Sequence, residues 1–459
     1  MKMNINRANW YWRLVIPMLL ILTFPLSCKK YLDIKPDKQM VVAATLKDAQ
    51  ALLDNYGLLN TYYPSIGDQS DDNFYLDDNR FNALDLTGRN NYTWAKDAVN
   101  DNEWSGLYQV VLNATTALET VESVPKDAAN AALWDNLKGA ALFYRGYALF
   151  QAAEYYAGIY DSTTATSKPG IPLRTSSDVT IQSERVSLEA SWNHIITNFK
   201  EAITRLPLTA IVLSRPTKAA AWAALARTYL CMNKYSLALT AADSCLHLHN
   251  SLIDFNTVDS ISTTPFSRFS SEVIFPCVAG SSTQLDVSTY TLDTTLFASY
   301  DINDLRRPVY FTLNGYNGYG FKANYDGNIY SGPFIGIATD EVMLIKAECL
   351  ARTGNINEAM NALNSLLVTR WRTGTFISFT ANNVADAVRL ILQERRKELI
   401  LRGTRWFDLR RLSNDAANMV QPVRRINNEN FVLPPGSSRY TFLIPTSVIN
   451  LTGIEQNIR

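Results

Sequence analysis

The stretch Lys218–Leu248, KAAAWAALARTYLCMNKYSLALTAADSCLHL, decides the fold. Apolar and small residues recur at helical spacing on both sides of a polar break, Asn233-Lys234, so the segment reads as two short helices folded on each other. Ala226 on the first helix and Ala238 on the second are small side chains that let the backbones approach closely. Trp222, Leu225 and Tyr229 fill the groove beside them. In that position Trp222 is packing and not a ligand platform, and Trp222→Ala is expected to cost about 3–5 kcal/mol.

Trp222, Leu225, Ala226 and Tyr229 follow the W-x2-L-G-x2-Y spacing of a tetratricopeptide repeat, with Ala226 in the small-residue slot. A second such hairpin runs EVMLIKAECLARTGNINEAMNALNSLL, with Ala347, Leu350, Ala359, Leu363 and Leu366 in equivalent slots and a turn at Thr353-Gly354-Asn355. Helical periodicity also covers about Leu46 to Leu59, Asp101 to Val124 and Ala131 to Tyr156, and a further helix ends near Leu206. A helix from about Val384 to Arg402 ends at Gly403, a left-handed cap. Between Ser251 and Gly336 the periodicity fails, and short runs such as Val273 to Phe275 read as strands. This stretch is too long for a structureless loop, so it forms a small layer of its own. The fold class is mostly α, an interrupted helical array and not a tandem solenoid.

Lys2, Arg7 and Arg13 precede an apolar run from Leu14 to Leu26 that ends at Ser27-Cys28. The run is too short to span a bilayer, and its order is that of a secretory signal. A small residue followed by Cys resembles a lipoprotein cleavage site, although Pro25 replaces the usual aliphatic residue. Residues 1–27 are then the signal peptide and Cys28 the lipidated first residue of the 28–459 domain, held to a membrane by more than one acyl chain. Cys231, Cys245, Cys277 and Cys349 form no CxxC pair and read as buried thiols, with a Cys231–Cys245 bridge left open. The chain has 43 basic and 43 acidic residues, which offers no electrostatic footprint for nucleic acid.

No HExxH, GxSxG or phosphate-loop motif is present, and there are only three histidines. Glu394 and Glu398 share a helix face, but a buried or interfacial salt-bridge network explains them better than acid–base chemistry. Asp68, Asp71, Asp72, Asp77 and Asp78 cluster with Phe74, Tyr75, Tyr92 and Trp94. The acidic spacing lacks the Gly and terminal Glu of an EF-hand loop, so a solvated loop accounts for it as well as a calcium site does.

Several segments together resemble the SusD/RagB family of surface lipoproteins of Bacteroidetes-type bacteria. Cys28-Lys29-Lys30-Tyr31-Leu32-Asp33 with Pro36 resembles the family's opening. Trp104, Tyr108 and Asn113, the aromatic helix LFYRGYALFQAAEYY, Asp304-Leu305-Arg306-Arg307 and Leu344-Ile345-Lys346-Ala347-Glu348 resemble internal elements. The most specific stretch is Glu394 to Leu412, ERRKELILRGTRWFDLRRL, which departs from the family pattern only at Arg402. Ile444-Pro445 with Asn450 and Gln456-Asn457 resembles the closing signature without its final Pro-Gly-Tyr.

The resemblance implies a SusD-like α-helical fold with tetratricopeptide-like hairpins and a loop-rich, ligand-facing side. Its parts run from about 28 to 250, a loop-rich insertion from 251 to 336, and a C-terminal part from 337 to 459. It also implies a non-catalytic outer-membrane protein, with no cofactor or metal, that faces the cell exterior. Such a protein delivers oligosaccharides, or in some members peptides, to a SusC-like TonB-dependent transporter. Aromatic faces suit the C–H faces of a sugar while Asn, Asp and Arg pair its hydroxyls. The candidate ligand residues are Tyr75 and Trp94 from the first polar loop, and Tyr316 and Tyr319 from the NGYNGYG turn. A protein-only helical adaptor would lack a concave aromatic site on the loop-rich face. A glycoside hydrolase would carry two carboxyls about 5–9.5 Å apart in a cleft.

Overall fold

A computed structural model describes residues 43–459 apart from 316–317 and 329–330. The leader 1–27, the lipidation residue Cys28 and the candidate Tyr316 lie outside the described residues. Ten helices carry the scaffold: α1 (Leu46–Leu53), α2 (Asp101–Ser123), α3 (Ala131–Tyr156), α4 (Leu188–Arg205), α5 (Lys218–Cys231), α6 (Tyr235–Leu248), α7 (Thr339–Arg352), α8 (Ile356–Leu367), α9 (Val384–Glu398) and α10 (Arg405–Arg411). Side-chain caps fix several of their starts. Thr45 forms a reciprocal capping box with Asp48, while Asn100, Ser187, Thr217 and Asn383 each accept a backbone N–H from the first turn.

Each helix from α1 to α7 packs on its successor, α1 reaching past the first polar loop to α2, and α9 returns to α7. The α5–α6 hairpin therefore lies directly against α7–α8, although about 90 residues of chain separate them. The interruption read in the sequence is one of chain and not of space. Asn233, in the left-handed region at φ 56°, and Gly354 at φ 90° make the two hairpin turns. Trp222 is only half-buried at the edge of this array, so the loss expected on Trp222→Ala falls to about 2 kcal/mol.

Helix α3 is the central post. From Gly139 to Tyr156 every residue is buried, not merely one face, with Arg145, Gln151 and Glu154 enclosed among the apolar side chains. Gly146 permits a close approach of α4, since a Cβ there would stand 3.1 Å from Asn198 and Phe199. The Tyr147 hydroxyl donates to the Ile335 carbonyl at 2.6 Å and accepts from Arg227, whose guanidinium also pairs with Glu341 at 2.6 Å. The post, the first hairpin and the start of α7 are thereby tied at one buried point.

Among the described residues, ten short strands pair two by two, all antiparallel: β1 (Phe74–Tyr75) with β5 (Thr291–Leu292), β2 (Pro169–Pro172) with β3 (Arg185–Ser187), β4 (Val273–Phe275) with β8 (Ile337–Ala338), β6 (Phe311–Leu313) with β7 (Tyr319–Phe321), and β9 (Val423–Ile426) with β10 (Glu429–Val432). The loop-rich region has its own aromatic core, in which Phe74, Tyr92, Tyr290, Tyr300, Tyr310 and Tyr325 are enclosed. Many of its tyrosines are thus packing residues.

Buried ion pairs weld this layer to the helices. Arg306 bonds Asp304 at 2.7 Å, Glu394 at 2.6 Å and Glu398 at 3.0 Å, and Arg370 bridges Glu398 at 2.7 Å to Glu272 at 2.5 Å. Glu394 and Glu398 are network members, as their spacing suggested. Arg411 grips both oxygens of Glu348 at 2.7 Å. Cys231 and Cys245 are both buried and free, so the bridge left open above is absent. The closing signature acts as a strap. Gln456 bonds the backbone of Ile444 on both sides, and Asn457 donates to the Tyr156 and Phe442 carbonyls. No helix among the described residues is long and apolar enough to cross a membrane.

Glu348 gives a pH-dependent prediction. Burial alone raises its carboxyl, but Arg411 and Arg352 bring it down to about 2, below the ordinary 4.5. Its contribution to stability is therefore complete above about pH 4.5 and is lost as pH falls through 2. Glu348→Gln is expected to destabilise the protein by about 3–5 kcal/mol at pH 7. The gap to wild type should narrow at pH 3, as read by urea denaturation at the two pH values.

Candidate functional site

Strand alternation decides which ring of the first polar loop faces out. On β1, Phe74 points into the aromatic core, with ring centroids 5.1 Å from Tyr290, while Tyr75 opposite Thr291 is 42% exposed. The first part of the loop behind it is not solvated, while Asp77 and Asp78 are exposed. Asp68 and Asp71 are buried, Asp68 accepting the Gly403 backbone N–H and Asp71 that of Asn73, and Arg405 holds Asp72 at 2.6 Å. Asp77 caps the short helix Asp78–Ala83, and the Asp78 carboxylate accepts the Asn427 N–H. Among the described residues no group of three or more His, Cys, Asp or Glu is placed to hold a metal ion.

Trp94 corrects the expectation placed on it. Its ring is fully buried, its indole N–H donates to the Ser70 carbonyl at 2.8 Å, and its backbone is left-handed at φ 54°. The Arg424 guanidinium lies 3.6 Å from the Tyr92 ring centre and 4.7 Å from that of Trp94, and it donates to the Tyr92 and Asp71 carbonyls. Trp94 and Arg424 are the floor under β1, with burial pushing the Arg424 guanidinium below its ordinary value.

Above that floor lies a groove of about 510 Å³, with Tyr75, Asp293, Thr295, Gln421, Val423 and Arg425 among its lining residues. Asp293 also caps the short helix Thr294–Ala298 by accepting the Leu296 N–H at 2.7 Å. Arg396, on α9, reaches the back of the groove and donates to the Asp72 carbonyl at 2.7 Å. An exposed ring beside a carboxylate, a guanidinium, an amide and a hydroxyl can cover an apolar face and pair the hydroxyls around it.

The β6–β7 hairpin adjoins this groove through Thr291. The Asn314 amide donates to the Tyr290 carbonyl at 2.7 Å and to the Thr291 hydroxyl at 3.2 Å, and a Cβ on Gly318 would collide with Thr291 at 2.3 Å. Tyr319 opposite Leu313 is half-buried, one ring face committed to Phe297 at 3.9 Å between centroids. The structure thus brings Tyr75 and the Tyr319 hairpin to one side and sends Trp94 inward.

Sequence reasoning missed Gln421, Val423 and Arg425. The available signal was alternation on both sides of Asn427-Asn428. Both residues are left-handed, at φ 50° and 66°, the two-residue hairpin turn that Asn favours.

Comparison with known proteins covers most of the chain. Residues 30–230 match a family model described as starch-binding associating with outer membrane, and residues 302–450 match the SusD family model. A curated relative, the SusD-like protein P38 of Formosa agariphila, is 30% identical over 118 residues, which span 25% of this chain and 23% of that protein. A SusD superfamily protein of Bacteroides thetaiotaomicron superposes with a TM-score of 0.73 at 20% identity, over 91% of this chain and 100% of that one. A SusD-like carbohydrate binding protein of Bacteroides vulgatus gives 0.67 at 20% identity, over 89% and 96%.

The two roles separate by substitution. Trp94→Ala, which empties an enclosed site, should cost about 3–5 kcal/mol. Tyr75→Ala, at an exposed position, should change stability by less than about 1 kcal/mol. Urea denaturation of both variants checks this.

Proposed function

The chain belongs to the SusD/RagB family, and from that premise we propose that it is a non-catalytic surface lipoprotein that captures oligosaccharides. Cys28 anchors it to the outer membrane, facing the cell exterior, and it passes its ligand to a SusC-like TonB-dependent transporter. The observation that carries this reading is the exposed Tyr75 ring set at a groove with Asp293, Gln421 and Arg425. A pyranose laid on the ring keeps its hydroxyls at the rim, where both charged and neutral partners stand. So open a site leaves its groups partly hydrated, which favours modest affinity and easy release to a transporter.

The carboxylates at hand are already engaged. Asp72 is paired with Arg405, Asp293 caps a helix, and Glu394 and Glu398 are bound by Arg306. None of them is poised as the free acid of a hydrolase, which supports capture without cleavage.

Calorimetric titration of the lipid-free mature chain against oligosaccharides and peptides tests the proposal. Saturable binding to a sugar class is expected, weakened at least tenfold, or about 1.4 kcal/mol, by Tyr75→Ala. Binding to peptides alone would move the ligand class, and silence toward both would favour an adaptor that binds only protein.

A further inference from the structure

A second concavity, of about 600 Å³, shares no lining residue with the Tyr75 groove. It lies among the loop around Tyr62, the helices at 78–92, the start of α2 and the segment 280–284. Its volume is in the range of small-molecule sites.

Two features of its wall stand out. First, it holds buried amide groups with nothing to bond. Asn91 is 0% exposed, and neither its amide nitrogen nor its oxygen has a partner among the described residues. Gln284, 2% exposed, spends its N–H on the Gln69 carbonyl at 3.0 Å and leaves its oxygen unpaired. Buried polar atoms are rarely left so, and such exceptions call for a ligand or an ordered water. Second, the wall contains Glu103 and Asp85 but no Lys, Arg or His. The Tyr75 groove, by contrast, carries Arg396, Arg424 and Arg425.

We propose that this concavity is a second ligand site, taking an uncharged, hydroxyl-rich sugar unit through the Asn91 and Gln284 amides with the Tyr62 ring at its mouth. The inference rests on the glycan-capture reading and adds a selectivity to it. An amide offers both donor and acceptor, which matches a hydroxyl that is both. A carboxylate or sulfate finds no cation there and meets two acidic side chains instead, so uronic and sulfated sugars are refused. Tyr62, 47% exposed, supplies the apolar face that a bare polar pocket would lack.

The test uses the lipid-free chain from residue 29 onward on an array of neutral and anionic oligosaccharides, followed by calorimetry of the hits. Wild type, Tyr75→Ala, Tyr62→Ala and Asn91→Leu are compared, with Tyr62→Ala deciding if Asn91→Leu does not fold. The expected result is a second neutral-sugar binding event that persists in Tyr75→Ala and weakens at least tenfold in Tyr62→Ala and Asn91→Leu, while any oligogalacturonate binding is unchanged by those two. Neutral-sugar binding lost in Tyr75→Ala and intact in both other variants would overturn the second site and keep the proposed function. Retention of no saccharide at all would overturn both. If Asn91→Leu simply stabilises the fold and no variant but Tyr75→Ala alters binding, the concavity holds water only and the inference fails.

Discussion

A guanidinium cannot be buried without partners, and this structure depends on that constraint. The segment from Glu394 to Leu412 turns most of its arginines inward, where they meet carboxylates within the segment or on distant parts of the chain. Arg395 pairs with Asp408, Arg402 with Asp340, Arg405 with Asp72, and Arg410 with Glu154. Arg306 and Arg370 answer from the other direction by meeting Glu398. Removing one member leaves an uncompensated charge in a low-dielectric interior, so the network specifies which loop meets which helix more than it adds net stability. The loops at 68–73 and 272–340 have few long helices to order them, and these pairs hold them in place.

That arrangement divides the labour. The helical array is regular and alanine-rich where helices touch, and it offers few groups free for chemistry. The loop-rich layer packs on its own aromatic cluster and presents short strand pairs outward. Tyr75 reaches solvent because its neighbour Phe74 goes in, and it is steady because β5, the Asn314 amide and the Arg424 floor fix the strand beneath it. Pre-organisation of this kind lowers the ordering cost of binding a flexible glycan.

How far the sequence was legible follows from how local each signal is. Helix α3 and both hairpins were readable because periodicity, small residues and left-handed turns lie within a few residues of one another. The role of Glu394 and Glu398 was readable because they share a helix face among arginines. Trp94 was not, since a ring in an Asn- and Asp-rich loop looks exposed until the loop is seen to wrap an aromatic core of its own. Asp68 misled for the same reason: its partner, the Gly403 backbone, stands hundreds of residues away. The groove residues Gln421 and Arg425 meet Tyr75 only through tertiary folding, which no window of sequence displays.

Hydrogen–deuterium exchange of the mature chain, with and without a saturating oligosaccharide found by titration, is the most direct test of the central claim that capture occurs on the loop-rich side. Added protection is expected in peptides covering 62–103, 280–325 and 420–432, with the α5–α6 and α7–α8 hairpins unchanged. Protection confined to those hairpins would contradict it, by placing the ligand on the scaffold instead of on the loops the buried arginines hold.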